Sequence, residues 1–343
     1  MNVSNSTPPV YHRFRLEVTV WYSIMTFLST TGCTLSILLL LLIALSKKLR
    51  TRSSALFLNL LLQVALQCGV GMPLLVQSYQ GVPFSLAGDK ELCRRTFIFY
   101  FIIVHCVDWT DLMIAVNRFI AVCLPHKYPQ WTRGFRLYSM VVAPWLIGLG
   151  IALLPQFGIG GEFRRFTSWE SCGVFYYNAT WSLVFVMLGI GLPVSSTFLL
   201  YLTIFAVVLY RHFRVPVAPV GMGEATRRTQ KRYRSVRMFF GVFVCYAGCL
   251  LPPPIANGFF QKEYSSQPML QLIFRAVMLL GNALIPVIYL IVSKDYRAQL
   301  RLGKEKLTSV LGKKIQQPEL LRMSGITSST KQTAASTNAT SNG

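Results

Sequence analysis

Apolar residues gather in long runs along this chain instead of alternating with polar ones. Seven runs reach the roughly 20 residues a helix needs to cross a bilayer. They cover Val18–Ser46, Ser53–Gly88, Thr96–Val116, Leu137–Gly161, Ser171–Tyr210, Met238–Gln261 and Gln267–Ser293. The second helix is expected to end near Gln77–Gln80, and the fifth run must begin as loop. Charge is nearly absent from them: the third holds Asp108 and Asp111, and the seventh a single Arg275. Backbone groups in lipid have to be satisfied within the segment, so all seven read as helices. Pro73, Pro144, Pro155, Pro193, Pro252 and Pro286 are then kinks inside them.

The pattern predicts an all-α membrane protein, a seven-transmembrane helix bundle over residues 18–293. Residues 1–17 are polar and lack the apolar core and cleavage site of a signal peptide, so the first span serves as an uncleaved anchor. After the seventh span, residues 294–311 are basic, with Tyr296, Leu300, Leu307 and Leu311 as apolar positions. A short amphipathic helix lying on the inner leaflet fits that segment. Residues 312–343, rich in Ser and Thr, are expected to form a disordered cytoplasmic tail.

Composition agrees. The chain is 53% apolar and 13% charged, against about 45–50% and about 25% in soluble domains. A net charge of +22 could suggest nucleic acid. Yet the basic residues cluster between the spans, as they do at an anionic membrane face, and no zinc-finger, RNP or helix-turn-helix pattern competes. With the N-terminus outside, 25 of the 34 Lys and Arg residues fall on the inner side. They are Lys47, Lys48, Arg50 and Arg52, then Arg118, Lys127, Arg133 and Arg136, then eight from Arg211 to Arg237 and nine from Lys294 to Lys331. This bias places the N-terminus outside and the tail in the cytoplasm of a multi-pass plasma-membrane protein. Sequons at Asn2 and Asn5 agree as glycosylation sites. A third, Asn178-Ala-Thr, falls close to the membrane surface, and a fourth at Asn338, in the tail, is a chance match.

Of eight cysteines only Cys93 and Cys172 fall outside, where disulfides persist. A bridge between them would pin the second outer loop over the bundle mouth. Four scattered histidines (His12, His105, His126, His212) and no CxxC give no metal site, and no cofactor is expected. A transporter would show internal repeats, and none is visible. No catalytic set marks an enzyme.

Several motifs, in order and spacing, resemble the rhodopsin-like G-protein-coupled receptors over roughly residues 20–300. Cys93 and Arg118 lie 25 residues apart; Asn117-Arg118-Phe119 is a variant of Asp-Arg-Tyr, followed by Ile120-Ala-Val-Cys-Leu-Pro. Trp145 with Pro155, and Pro193 with Tyr201, match the fourth and fifth spans. Cys249-Leu250-Leu251-Pro252 looks like Cys-Trp-x-Pro without its tryptophan, and Ile285-Pro286-Val287-Ile288-Tyr289 like Asn-Pro-x-x-Tyr without its asparagine. Tyr296 stands where the surface helix usually carries Phe. Within the family, Asn117-Arg118-Phe119 and the run from Leu154-Pro155 through Gly161-Glu-Phe163 to Ser171-Cys172 look most similar to melatonin-like and moody-like receptors.

The resemblance implies a two-state bundle in which an outside ligand shifts the population. The inner half of the sixth helix would swing outward on Pro252 and admit a heterotrimeric G protein. Arg118 would contact the G protein, Tyr201 and Tyr289 would reach toward it, and Pro286 would kink the seventh helix. Tyr100, Val104, Trp181, Phe185, Asn257, Gln261 and Arg275 would line the pocket for a small-molecule or peptide ligand. Tyr100 replaces the aspartate of amine receptors, which argues against a biogenic amine. The tail resembles targets of receptor kinases and arrestin.

Three departures stand out. Asn117 cannot hold Arg118 by charge, and Arg232 occupies the place where relatives carry a partnering acid. Val64 replaces the acid of the family's sodium site, while Asp108 and Asp111 share one face of the third helix. These two acids form a relocated proton or cation site, or bond to polar neighbours; both readings stay open. Arg275, ~21 Å above Tyr289 by helix rise, needs an anion: a ligand carboxylate or phosphate, or an internal acid such as Asp108. The missing asparagine and tryptophan also keep open a receptor-like chain that binds ligand without signalling.

Overall fold

The computed structural model describes residues 14–47, 49, 54–79, 90–165, 172–214, 240–241, 243–260, 267–292, 297, 298 and 300. The N-terminal sequons, nearly all of the amphipathic segment 294–311, Arg232 and the tail lie outside the described residues. Residues 1–293 form one compact unit and residues 294–343 another.

Among the described residues, seven apolar helices form the body of the first unit. They are α1 (Arg15–Leu45), α2 (Ser54–Gln77), α3 (Lys90–Cys123), α4 (Gly134–Gln156), α5 (from Ala179, ending with the segment Leu192–Arg214), α6 (Phe243–Ala256) and α7 (Pro268–Val292). All but α6 are long and apolar enough to cross a membrane. The second helix ends at Gln77, as expected, whereas α3 runs a turn or more past both ends of its apolar run. A one-turn helix, Tyr128–Trp131, lies between α3 and α4.

The bundle is ordered for lipid. Its surface carries large apolar side chains such as Phe27, Leu146, Phe205 and Ile291, each at least 60% exposed. Its interior holds the polar ones: Gln63, Gln67, Asp108, Thr110, Asn117, Thr197 and Asn282 are all buried. In water this arrangement would be unstable; in hydrocarbon the outward apolar groups cost nothing.

Polar side chains and small residues set the helix contacts. The Trp21 indole donates to the Leu272 carbonyl over 2.8 Å, tying α1 to α7. Asn59 of α2 accepts from the Trp145 indole of α4 at 2.8 Å and donates to Thr110 of α3 at 3.3 Å, so one amide joins three helices. Gly148 of α4 presses on α3: a Cβ there would meet Cys106 Sγ at 2.7 Å and the Ile102 carbonyl at 2.9 Å. Close backbone approach of this kind drives helix association where no hydrophobic effect acts.

Three features were not expected. π-helical turns interrupt α2 at Gln67–Gly71 and α5 at Met187–Gly191. The connection between α4 and α5 forms an antiparallel hairpin, β1 (Gly161–Arg165) on β2 (Cys172–Tyr176), with Phe163 opposite Val174. This adds a small sheet to what was read as wholly helical. Third, the break in the helical bonding of α6 is brief. Leu251 N donates to Ala247 O at 2.9 Å, and the next available amide, Ile255, donates to Leu251 O at 3.1 Å. Pro252, Pro253 and Pro254 have no N–H, so the carbonyls of Gly248, Cys249 and Leu250 lose their ordinary helical donors. The chain remains helical on either side, with Pro252–Phe259 starting a fresh segment.

Candidate functional site

α5 begins cleanly because Asn178 caps it, its Oδ1 accepting the Trp181 amide at 2.9 Å. This cap places Trp181 and Phe185 on the first two turns, 6.4 Å apart between ring centres. Gly160, at φ +74, turns the chain into β1 directly against the Trp181 ring; a Cβ there would overlap that ring. The hairpin then packs inward. Phe163 meets Phe97 and Phe101 of α3 at 5.8 and 5.9 Å, and Tyr176 meets Phe185 at 5.3 Å. Cys172, the first residue of β2, is disulfide-bonded. The Cys93 side chain lies outside the described residues.

Beneath this roof, Arg275 of α7 donates through Nη1 to the Tyr100 hydroxyl of α3 at 3.4 Å. Tyr100 is buried, as are Val104 and Phe185. Tyr176 is also within electrostatic reach of Arg275; burial pushes its phenol up to about 12, and the guanidinium opposes that rise. The structure therefore brings Tyr100, Phe185 and Arg275 to one region, with Val104 one turn below Tyr100. The side chains of Asn257 and Gln261 lie outside the described residues.

Further along α3, Asp108 Oδ1 accepts the Tyr246 hydroxyl of α6 at 2.8 Å. That bond answers one open question: Asp108 pairs with a phenol of α6 and not with Arg275. The Asp111 Oδ2 is buried without a hydrogen-bond partner, as are the side-chain amides of Gln63 and Gln67 and the Thr197 hydroxyl. No group of three His, Cys, Asp or Glu residues suited to a metal occurs among the described residues.

Toward the C-terminal end of α3, Asn117 is buried and Arg118 half-buried beside it. Tyr201 of α5 lies within electrostatic reach of both Asp111 and Arg118 and packs on Phe240 at 5.6 Å and on Phe243 of α6 at 5.7 Å. Phe119 flanks Arg118 on α3, half-buried. Tyr289, three residues beyond Pro286, instead stacks on Phe57 of α2 at 4.0 Å. Of the two tyrosines expected to reach toward Arg118, Tyr201 lies within electrostatic reach of it and Tyr289 packs on Phe57 of α2.

Sequence reasoning missed Tyr246 and Tyr176. Tyr246 left a trace, because an isolated phenol within an apolar span needs a polar partner. Tyr176 left none.

The description "7 transmembrane receptor (rhodopsin family)" matches residues 22–289. The chain is similar to somatostatin receptor type 2 of Mus musculus, 26% identical over 311 residues that cover 86% of this chain and 79% of that one. It is similar to adenosine receptor A2a of Canis lupus familiaris, 24% identical over 252 residues, 64% of this chain and 58% of the relative. It is also similar to protein trapped in endoderm-1 of Drosophila melanogaster, 22% identical over 202 residues, 54% and 52% of the two chains. The matched stretch thus spans little more than half the length of the last two relatives. The melatonin-like and moody-like subgroup rests on the residues quoted above alone. A lipid-ordered bundle with these motifs and this match is a multi-pass membrane protein, and the chain belongs to the rhodopsin family of seven-transmembrane receptors.

Proposed function

We propose that this protein is a G-protein-coupled receptor of the plasma membrane, with its N-terminus outside and its tail in the cytoplasm. A ligand binds in the outer half of the bundle, and the inner half of α6 then moves outward to admit a heterotrimeric G protein. One observation carries the reading. Arg118, permanently charged and rich in donors, stands at the inner end of α3 with Tyr201 of α5 in electrostatic reach. Asn117 and Phe119 flank it, and Pro252, Pro286 and Tyr289 complete the moving parts. In this reading Cys93 pairs with Cys172 and holds the hairpin over the ligand site, Asn2 and Asn5 carry glycans, and the phosphorylated tail engages receptor kinases and arrestin. The protein acts as a signal transducer and not as an enzyme.

A second reading, ligand binding without signalling, is favoured by Leu250 and Ile285, which replace a tryptophan and an asparagine of the family pattern. One experiment separates the two. The full-length chain is expressed in cells and scored for G-protein activation across all Gα classes, without ligand and under a broad ligand screen, beside Arg118→Ala at matched surface expression. Activation by the wild type that falls severalfold in the variant supports the receptor reading. Absence of coupling to every class, with and without ligands that demonstrably bind, overturns it in favour of the second.

A further inference from the structure

The connection between α3 and α4 carries a dense positive patch. Between Asp111 and Glu162 the chain has no acid, yet Lys127, Arg133 and Arg136 fall close together there. All three are exposed, and none pairs with an acid among the described residues. The backbone gathers them. Lys127 precedes the one-turn helix Tyr128–Trp131, and its carbonyl accepts the Trp131 amide at 3.2 Å. The Arg136 guanidinium lies over the Trp131 ring, 5.4 Å from its centre. That contact orders the cation without occupying its N–H donors. Beside the cations stand two aromatic side chains that the bundle does not cover: Phe135 is 82% exposed, and Tyr138, one turn on, 64%. From them an exposed apolar stripe runs along the same face of α4 through Leu146, Leu149 and Leu153.

We infer that this patch binds a polyanionic phospholipid, an inositol lipid with phosphates on its ring. The phosphates meet Lys127, Arg133 and Arg136, and an acyl chain lies along the stripe of α4 that starts at Phe135. The two parts of the surface answer to the two parts of one molecule. A soluble anion would pair with the cations but leave Phe135 and Tyr138 in water. A zwitterionic lipid would cover the stripe but bring the cations no net charge. A lipid with a single negative charge would leave most of the patch uncompensated, which is why the headgroup is a polyanion. Arginine pairs with phosphate in a two-bond fork, and the Trp131 ring holds one such fork in place. In the orientation proposed above the patch faces the cytoplasmic leaflet, where anionic lipids gather. Only the choice of leaflet depends on that orientation; the binding does not, and no ligand or activation step enters it.

The test uses purified full-length receptor in phosphatidylcholine nanodiscs, with a minor share of the lipid replaced by phosphatidylinositol bisphosphate or by phosphatidylserine. Both leaflets carry the probe, so the result is the same whichever way the chain faces. Lipid that stays bound on transfer to detergent is counted by native mass spectrometry, and thermal stability is read on the same samples. The wild type should retain the bisphosphate severalfold over phosphatidylserine and be stabilised by it. Each cation near an anionic lipid contributes about fivefold in affinity. Joint replacement by Lys127→Gln, Arg133→Gln and Arg136→Gln should therefore weaken binding on the order of a hundredfold. Arg133→Lys with Arg136→Lys, which keeps the charge, should preserve much of it. Trp131→Leu, which removes the ring under Arg136, should weaken it severalfold. A control made by Arg94→Gln, Arg95→Gln and Arg164→Gln removes the same charge from arginines already paired with Glu91 or Glu162, and should bind as the wild type does. Equal retention of phosphatidylserine, unchanged retention of the bisphosphate in the triple patch variant, or an equal loss in the control would overturn the inference. If the triple variant does not fold, Arg136→Gln and Trp131→Leu, each made singly, decide in its place.

Discussion

Tyr246 donates its hydroxyl to Asp108 Oδ1 over 2.8 Å and so ties α6 to α3 midway through the bundle, where both residues are no more than 4% exposed. The ring of Tyr246 also faces α7, since a Cβ on Gly281 would meet its Cδ2 at 3.5 Å. One phenol therefore meets two of the helices against which α6 would have to move. A buried hydrogen bond nets about 1 kcal/mol, roughly fivefold in a two-state equilibrium. Tyr246→Phe keeps the ring and removes the bond. Ligand-free G-protein activation should rise severalfold in this variant, and Asp108→Asn, which can still accept, should rise less. Equal basal activity in wild type and Tyr246→Phe would show that the bond does not restrain α6.

Asn117 stands beside Arg118 where an acid would hold that arginine by charge. The wild-type receptor should accordingly show basal signalling, and Asn117→Asp should lower it by about threefold to tenfold through a new buried attraction. The measurement is constitutive activation at matched surface expression. Negligible signals in both proteins would remove the argument.

His105 of α3 is buried, lies edge-on to Phe101 at 4.4 Å and fits against Gly189 in the π turn of α5. A Cβ on Gly189 would overlap the imidazole. Gly189→Ala should therefore destabilise the bundle by about 1–3 kcal/mol, the usual cost of overpacking. A thermal shift of several degrees in purified receptor would register it, and His105→Ala in the same chain should restore most of the loss. An unchanged melting temperature in Gly189→Ala would show that the π turn yields freely.

Gly160 combines a left-handed backbone with contact against Trp181. A side chain there pays about 1–2 kcal/mol for its φ alone, before any clash. Gly160→Val should loosen the hairpin, weakening ligand-driven activation much more than it weakens basal coupling, because the hairpin packs on the Phe97–Phe101 end of α3 and not near Arg118. Parallel loss of both activities at normal surface expression would argue against that separation.

The seven helices were legible in the sequence because lipid demands long apolar runs and leaves few ways to satisfy a backbone within them. The start of α5 was less so: its run opened at Ser171, yet the helix waits for the Asn178 cap. The hairpin escaped notice because its strands are five residues each and the first, Gly-Glu-Phe-Arg-Arg, shows no clean alternation. The π turns at Gln67–Gly71 and Met187–Gly191 leave no mark on the hydrophobic period. Candidate site residues could be named where a motif or an intramembrane charge marked them, as with Arg118, Asp108 and Arg275. Their partners were not, since Tyr246 lies 138 positions from Asp108 and Tyr100 lies 175 from Arg275. Pairings at such distances are decided by packing, which one sequence does not display.

The proline triplet of α6 has a mechanical meaning. An ordinary helix resists bending because each turn must stretch or break its own backbone bonds, and such bonds lack any replacement in hydrocarbon. Between Leu251 and Ile255 the donors for those bonds are absent from the start. Flexure at this joint therefore meets little internal stiffness, and the angle of α6 is set by its neighbours more than by itself.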